Sequence, residues 1–128
     1  MVAEQAIPYL LYDDAQAALD WVVEALGCTI TDTHLDKSGA LFHADVRLGE
    51  ARIMLGAPGP EDRYGGPGSG RIHAMVLVYV TDVDALFARV TTHGATVLAE
   101  LTDTPWGDRT FGICDPQGQC WYFHARRT

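Results

Sequence analysis

A chain that carries the same pattern twice is confined to folds built from two copies of one unit. This sequence does so at an offset near half its length. Tyr12-Asp13-Asp14-Ala15 opens a helical stretch that stops at Gly27-Cys28-Thr29-Ile30, and Val80-Thr81-Asp82-Val83 opens another that stops at Gly94-Ala95-Thr96-Val97. Asp14 and Asp82 lie 68 residues apart, Gly27 and Gly94 67, Phe42 and Phe111 69, and Gly49 and Gly118 69. Asp starts and Gly stops are common helix-end chemistry and can arise twice independently. Four offsets agreeing within two residues favour a duplicated module instead. The 128 residues are the length of one domain, so each copy is too small to stand alone comfortably.

Each half reads strand, helix, three strands. In the first, Ile7 to Tyr12 is the opening strand, and Asp13 or Asp14 caps a helix by accepting free first-turn amide hydrogens. Ala15, Ala18, Leu19, Val22 and Leu26 recur at helical spacing, and Gly27 supplies the left-handed stop. Cys28 to Thr33, Ala40 to Leu48 and Ala51 to Leu55 follow as strands. In the second, Ile72 to Val80 is a long β-rich run. Thr81 or Asp82 caps a helix with Val83, Leu86, Phe87 and Val90 on one face. Thr96 to Glu100, Thr110 to Cys114 and Gln119 to His124 complete the set, with Asp115-Pro116-Gln117-Gly118 fitting a type I turn. The expected class is α+β: two tandem βαβββ modules (residues 5–56 and 71–126) within a single domain, 1–128, joined by a Gly/Pro-rich linker at 57–70. A helix covers one face of each sheet, so the expected result is a curved mixed sheet around a cleft suited to a ligand.

Composition narrows the partners. Nine basic residues face seventeen acidic ones, for a net charge of −8. A nucleic-acid groove needs clustered Lys and Arg, and only Arg126-Arg127 adjoin. Acidity instead favours cationic small molecules. No apolar run approaches the roughly 20 residues of a membrane span, and the N-terminus lacks a basic, then apolar, leader. Three cysteines without paired spacing read as reduced thiols, which places the chain in the cytoplasm.

The stretches Tyr12-Asp13-Asp14-Ala15-Gln16-Ala17-Ala18, Phe42-His43-Ala44-Asp45-Val46-Arg47-Leu48-Gly49, Trp106-Gly107-Asp108-Arg109 and Cys114-Asp115-Pro116-Gln117-Gly118-Gln119-Cys120-Trp121 resemble the vicinal oxygen chelate superfamily. This is the glyoxalase, bleomycin-resistance and ring-cleaving dioxygenase group, and the similarity is strongest to a bacterial glyoxalase-like subgroup. The resemblance covers nearly the whole chain. It implies paired modules, a homodimer and U-shaped pockets for small molecules.

The resemblance also implies a divalent metal, which polarises vicinal oxygens as a Lewis acid and is held by His or Glu on the first and last strand of each module. The matching positions here are Ile7, Ile53, Met75 and Tyr122, none of them a usual divalent ligand. A register slip would bring in His73 and His124, but about 13 Å apart along paired strands. The expectation is no metal site and no cofactor. Strand alternation then selects the ligand-facing residues: His43 and Asp45 on one strand, His73 and Met75 on another, Tyr122 and His124 on the last, and Trp106 from its loop. His43, Asp45 and Arg47 fit an ordinary solvated sheet face equally well. Trp106 fits equally a plug at the sheet end. The function that follows is a binding protein, antibiotic-sequestering or otherwise, for a planar cationic ligand. The alternative is a glyoxalase-like lyase, isomerase or dioxygenase using a metal, or His43 with Asp45 as an acid–base pair. A structural dimer without a pocket is the third reading.

Overall fold

Both helices begin where an aspartate can satisfy the first turn. Asp14 accepts from the Ala17 amide at 3.0 Å and Asp82 from the Ala85 amide at 3.1 Å, so the second of the two candidate caps is used each time. A computed structural model describes residues 2–59 and 74–127. The elements are β1 (Tyr9–Leu11), α1 (Ala15–Glu24), β2 (Thr29–Leu35), β3 (Leu41–Leu48) and β4 (Ala51–Gly56). The second set is β5 (Met75–Tyr79), α2 (Val83–Thr92), β6 (Thr96–Asp103), β7 (Asp108–Cys114) and β8 (Cys120–Arg126). At the end of α2 the His93 ring meets the Arg89 carbonyl through Nδ1 at 2.8 Å.

The chain divides into two compact units, residues 1–66 and 67–128, each an α+β module with one mixed sheet. Unit 1 orders its strands β1-β4-β3-β2 and unit 2 β5-β8-β7-β6, the same topology twice. The first strand runs parallel to the last, and the remaining pairs are antiparallel. Most of the expected linker lies outside the described residues.

Burial follows the pleat. In unit 1, Ala44, Val46, Ile53 and Leu55 turn to the α1 side and pack with Ala18, Leu19 and Val22. In unit 2, Phe111, Ile113, Trp121 and Phe123 are fully buried on the α2 side with Val83 and Val90. Phe111 and Phe123 rings are 5.2 Å apart, and Phe87 meets Phe111 edge-on at 5.0 Å, geometry that adds to area burial.

The β7–β8 hairpin is tied by one carboxylate. Asp115 Oδ1 accepts from the amides of Gln117 (3.1 Å) and Gln119 (3.0 Å), and Oδ2 accepts from Trp121 Nε1 at 3.1 Å. The Gly118 amide donates to the Asp115 carbonyl at 2.9 Å, closing the expected turn. Gly118 takes φ 93°, a region open chiefly to glycine.

Several strands differ from expectation: β2 runs on to Leu35, β6 to Asp103 and β8 to Arg126. β1 is shorter than Ile7–Tyr12: Tyr9, Leu10 and Leu11 stand in register with β4, and Pro8 and Tyr12 flank them with one backbone bond each to Met54 and Gly56. β7 is longer, because Asp108 pairs with Arg126 and Arg109 with Ala125, which draws both residues out of the loop. Asp115→Ala strips the turn of its acceptor and leaves the buried Trp121 N–H unpaired. It should lower unfolding free energy by about 1–3 kcal/mol, read as a fall in the urea midpoint.

Candidate functional site

The sheet faces away from the helices carry the polar and aromatic side chains. In unit 2 the hairpin register sets them out. The Arg127 amide donates to the Gly107 carbonyl and the Asp115 amide to the Gln119 carbonyl, both at 2.9 Å. Alternation between these bonds leaves Asp108, Thr110, Gly112 and Cys114, opposite Arg126, His124, Tyr122 and Cys120, at non-hydrogen-bonded positions. There facing side chains approach most closely.

At one end, Asp108 is 7% exposed and His124 8%. Asp108 Oδ2 accepts from the Tyr79 hydroxyl at 3.0 Å and lies 3.3 Å from His124 Nδ1. The hydrogen bond to Asp108 pushes the Tyr79 phenol above its usual pKa, so it stays protonated. The Tyr79 and His124 rings are 5.5 Å apart, and the Arg126 guanidinium lies 4.4 Å from the Tyr79 centroid, a cation–π contact. Tyr122 lies across Gly112: a Cβ there would stand 2.5 Å from the ring. Met75, Leu77 and Tyr79 on β5 are each about half exposed.

Unit 1 has a comparable row. The Tyr9 hydroxyl meets His43 Nδ1 at 2.9 Å, and His43 Nε2 is 3.9 Å from Asp45. Arg52 donates to both Asp45 oxygens, at 3.0 and 3.1 Å. This bidentate bond holds the Asp45 carboxyl below the usual carboxylate range and raises the Arg52 guanidinium. His34, opposite His43, pairs with Asp32 at 3.0 Å. Tyr9 lies against Gly56 as Tyr122 lies against Gly112, so each sheet seats a tyrosine ring on a glycine.

Most of the expected ligand-facing residues stand on these faces. His43 and Asp45 share one in unit 1. Met75, Tyr122 and His124 share one in unit 2, where Met75 is level with Cys120, and Tyr122 with Leu77. Trp106 projects from the turn between β6 and β7 and is 71% exposed. His73 lies outside the described residues. His43 and Asp45 do not form a hydrogen-bonded dyad, because Arg52 claims the carboxylate. Asp108 and Arg109 do not pair, because strand neighbours point to opposite faces; Arg109 instead joins Asp84 and Asp103. Sequence reasoning missed Tyr9, Arg52 and Arg126, and the bonds that tie Asp108 and Tyr79 into the cluster. Alternation on β7 and β8 was the available signal, hidden by reading Asp108 as loop.

Ile53, one of the matched metal positions, faces α1. Among the described residues, no three His, Cys, Asp or Glu side chains gather where they could hold a metal ion. The described residues therefore offer no donor set for the divalent ion that the resemblance implies. All three cysteines are free thiols. Burial pushes Cys28 up to about 12 and also raises Cys114 and Cys120, so none is poised as a thiolate. No helix among the described residues is long and apolar enough to cross a membrane.

Residues 5–123 match the model of the glyoxalase/bleomycin resistance protein/dioxygenase superfamily. The chain belongs to this superfamily. In structure it is similar to TioX from Micromonospora sp. ML1, with TM-score 0.79 and 30% identity over 97% of this chain and 99% of that one. It is also similar to the genomically encoded fosfomycin resistance protein FosX from Listeria monocytogenes. There the TM-score is 0.77 and the identity 14%, over 98% of this chain and 95% of that one, a likeness of fold alone. The uncharacterized protein Mb0911c of Mycobacterium bovis is 37% identical over 89% of this chain and 78% of its own length.

The Asp45–Arg52 bond makes a pH prediction. A carboxyl depressed in the folded state stabilises the fold fully above its unfolded pKa, and that contribution fades as pH falls through the lower folded value. Asp45→Asn should lower the urea midpoint at neutral pH, and the gap from wild type should narrow as the pH is taken below the usual carboxylate range.

Proposed function

We propose that the chain is a small-molecule binding protein of the glyoxalase/bleomycin-resistance type, taking a planar ligand against the helix-free sheet surfaces. The observation that carries this reading is the division of labour on those surfaces. Their aromatic and aliphatic groups, Tyr79, Leu77 and Met75, remain half exposed. Their buried carboxylates, Asp45 and Asp108, are held by Arg52 and by Tyr79 with His124. A surface of this kind supplies stacking area and few free charges, which suits retention of a ring system. Trp106 adds an exposed indole at the end of the unit 2 sheet.

The preference for a cationic ligand is not carried by these faces. Asp45 is neutralised by Arg52 with Arg47 nearby, and Asp108 lies beside Arg126. The ring system, rather than its charge, is what the residues address. A homodimer in a reducing cytoplasm completes the reading. The superfamily's resistance members supply the precedent for sequestration, antibiotics included, and the three free thiols suit the compartment.

The enzymatic alternative, a lyase, isomerase or dioxygenase, draws its support from the contact of His124 with Asp108, a base beside its orienting carboxylate. Turnover of a bound ligand would favour it; recovery of the ligand unchanged would favour binding alone.

Trp121 and Trp21 are buried, so Trp106 is the accessible reporter. Titration with planar aromatic ligands should quench tryptophan emission, and Trp106→Phe should remove most of the quench. No quenching and no calorimetric heat across anionic, neutral and cationic planar ligands would sink the binding reading. Stoichiometric metal in protein purified without chelator would return the case to metal chemistry.

A further inference from the structure

On the helix-free face of unit 2 stands a polar ring atom to which no described residue bonds. An ionised carboxylate only accepts, so Tyr79 and His124 must both donate to Asp108 Oδ2. Asp108 thereby fixes the proton of a neutral His124 on Nδ1 and leaves Nε2 as an acceptor. Among the described residues nothing bonds to Nε2, and no fully buried side-chain nitrogen or oxygen lacks a partner. The Nε2 edge therefore reaches the surface. His43 differs, since Nδ1 meets Tyr9 and Nε2 faces Asp45, so both its ring nitrogens look onto protein groups.

The surroundings of that acceptor are rings and chains, with the Arg126 guanidinium over the Tyr79 ring. Tyr122 shares its strand and face two residues earlier. Tyr79 is its partner on β5, and Leu77 is the partner of Tyr122. A flat ligand lying on this platform takes water away from Nε2. If the ligand brings no donor, a desolvated acceptor is left unpaired, which is costly. If it carries an aromatic hydroxyl, the O–H replaces the lost water. The phenolic O–H suits this place because it is a strong donor lying in the plane of the ring that stacks.

We propose that His124 Nε2 is an acceptor subsite that selects planar aromatic ligands bearing a hydroxyl group. The proposal rests on the small-molecule-binding reading above and names the ligand class for that site. Tyr79 and Asp108 act as positioning residues, holding the imidazole in the tautomer that can accept.

The test uses the full chain, naphthol, and methoxynaphthalene, its methyl ether, which has the same ring but no donor. Above neutral pH, naphthol should bind about tenfold more tightly than the ether, the worth of one hydrogen bond to a desolvated acceptor. His124→Leu should bring the ratio close to one, with folding checked by its urea transition. In the unaltered protein, the nitrogen NMR shift of His124 Nε2 should move upfield on adding naphthol, which bonds to it, and not upfield on adding the ether, which only removes water. That measurement decides the matter even if the leucine variant does not fold. Equal affinities in wild type, an unchanged ratio in folded His124→Leu, or a stationary Nε2 signal would overturn the subsite and leave ligand binding standing. Binding of neither compound, nor of any other planar ligand, would overturn the binding reading and the subsite with it.

Discussion

Asp115 holds the β7–β8 hairpin in register, and the surface of unit 2 depends on that register. Side chains in a strand alternate strictly, so a slip of one residue would send Trp121 and Phe123 outward and Tyr122 and His124 beneath the helix. The carboxylate prevents this by binding the turn amides on one oxygen and the Trp121 indole on the other. It joins a turn, a strand and the buried core in a single residue. Once the register is set, Asp108 falls beside His124 and Tyr122 falls over Gly112 without further adjustment.

Charge is distributed to the same end. The net −8 attracts attention in the composition, yet the two carboxylates buried on the helix-free faces are held by protein donors. Asp103 pairs with Arg109 and Arg127, which ties the far end of the unit 2 sheet. Exposed pairs of that kind contribute little stability. The net charge therefore does not tell which carboxylates the faces described leave free.

Much of the fold was legible because its signals are local. Asp14 and Asp82 announce helix starts through chemistry completed within three residues, and Gly27 and Gly94 announce stops. The split between Trp121, Phe123 and Tyr122, His124 follows from period two alone. Strand ends were less legible. Asp108 and Arg109 have no propensity that marks them as strand, and their place comes from pairing with Arg126 and Ala125. The site was half legible. His43, Asp45, Tyr122 and His124 could be placed on faces, but their partners could not. Tyr9 reaches His43 across 34 residues of sequence, and Tyr79 reaches Asp108 across 29.

By itself, the sequence determined the duplication, the caps, the turns and which residues share a face, since all of these depend on neighbours a few positions away. Only the tertiary structure decided which groups are spent and which are free. Asp45 looked like a partner for His43, yet Arg52 from the adjacent strand takes both its oxygens. Asp108 looked like a loop residue, yet it orients His124. Strand pairing brings distant residues within hydrogen-bond range, and at that range the nearest donor, rather than the nearest neighbour in sequence, settles what a carboxylate does.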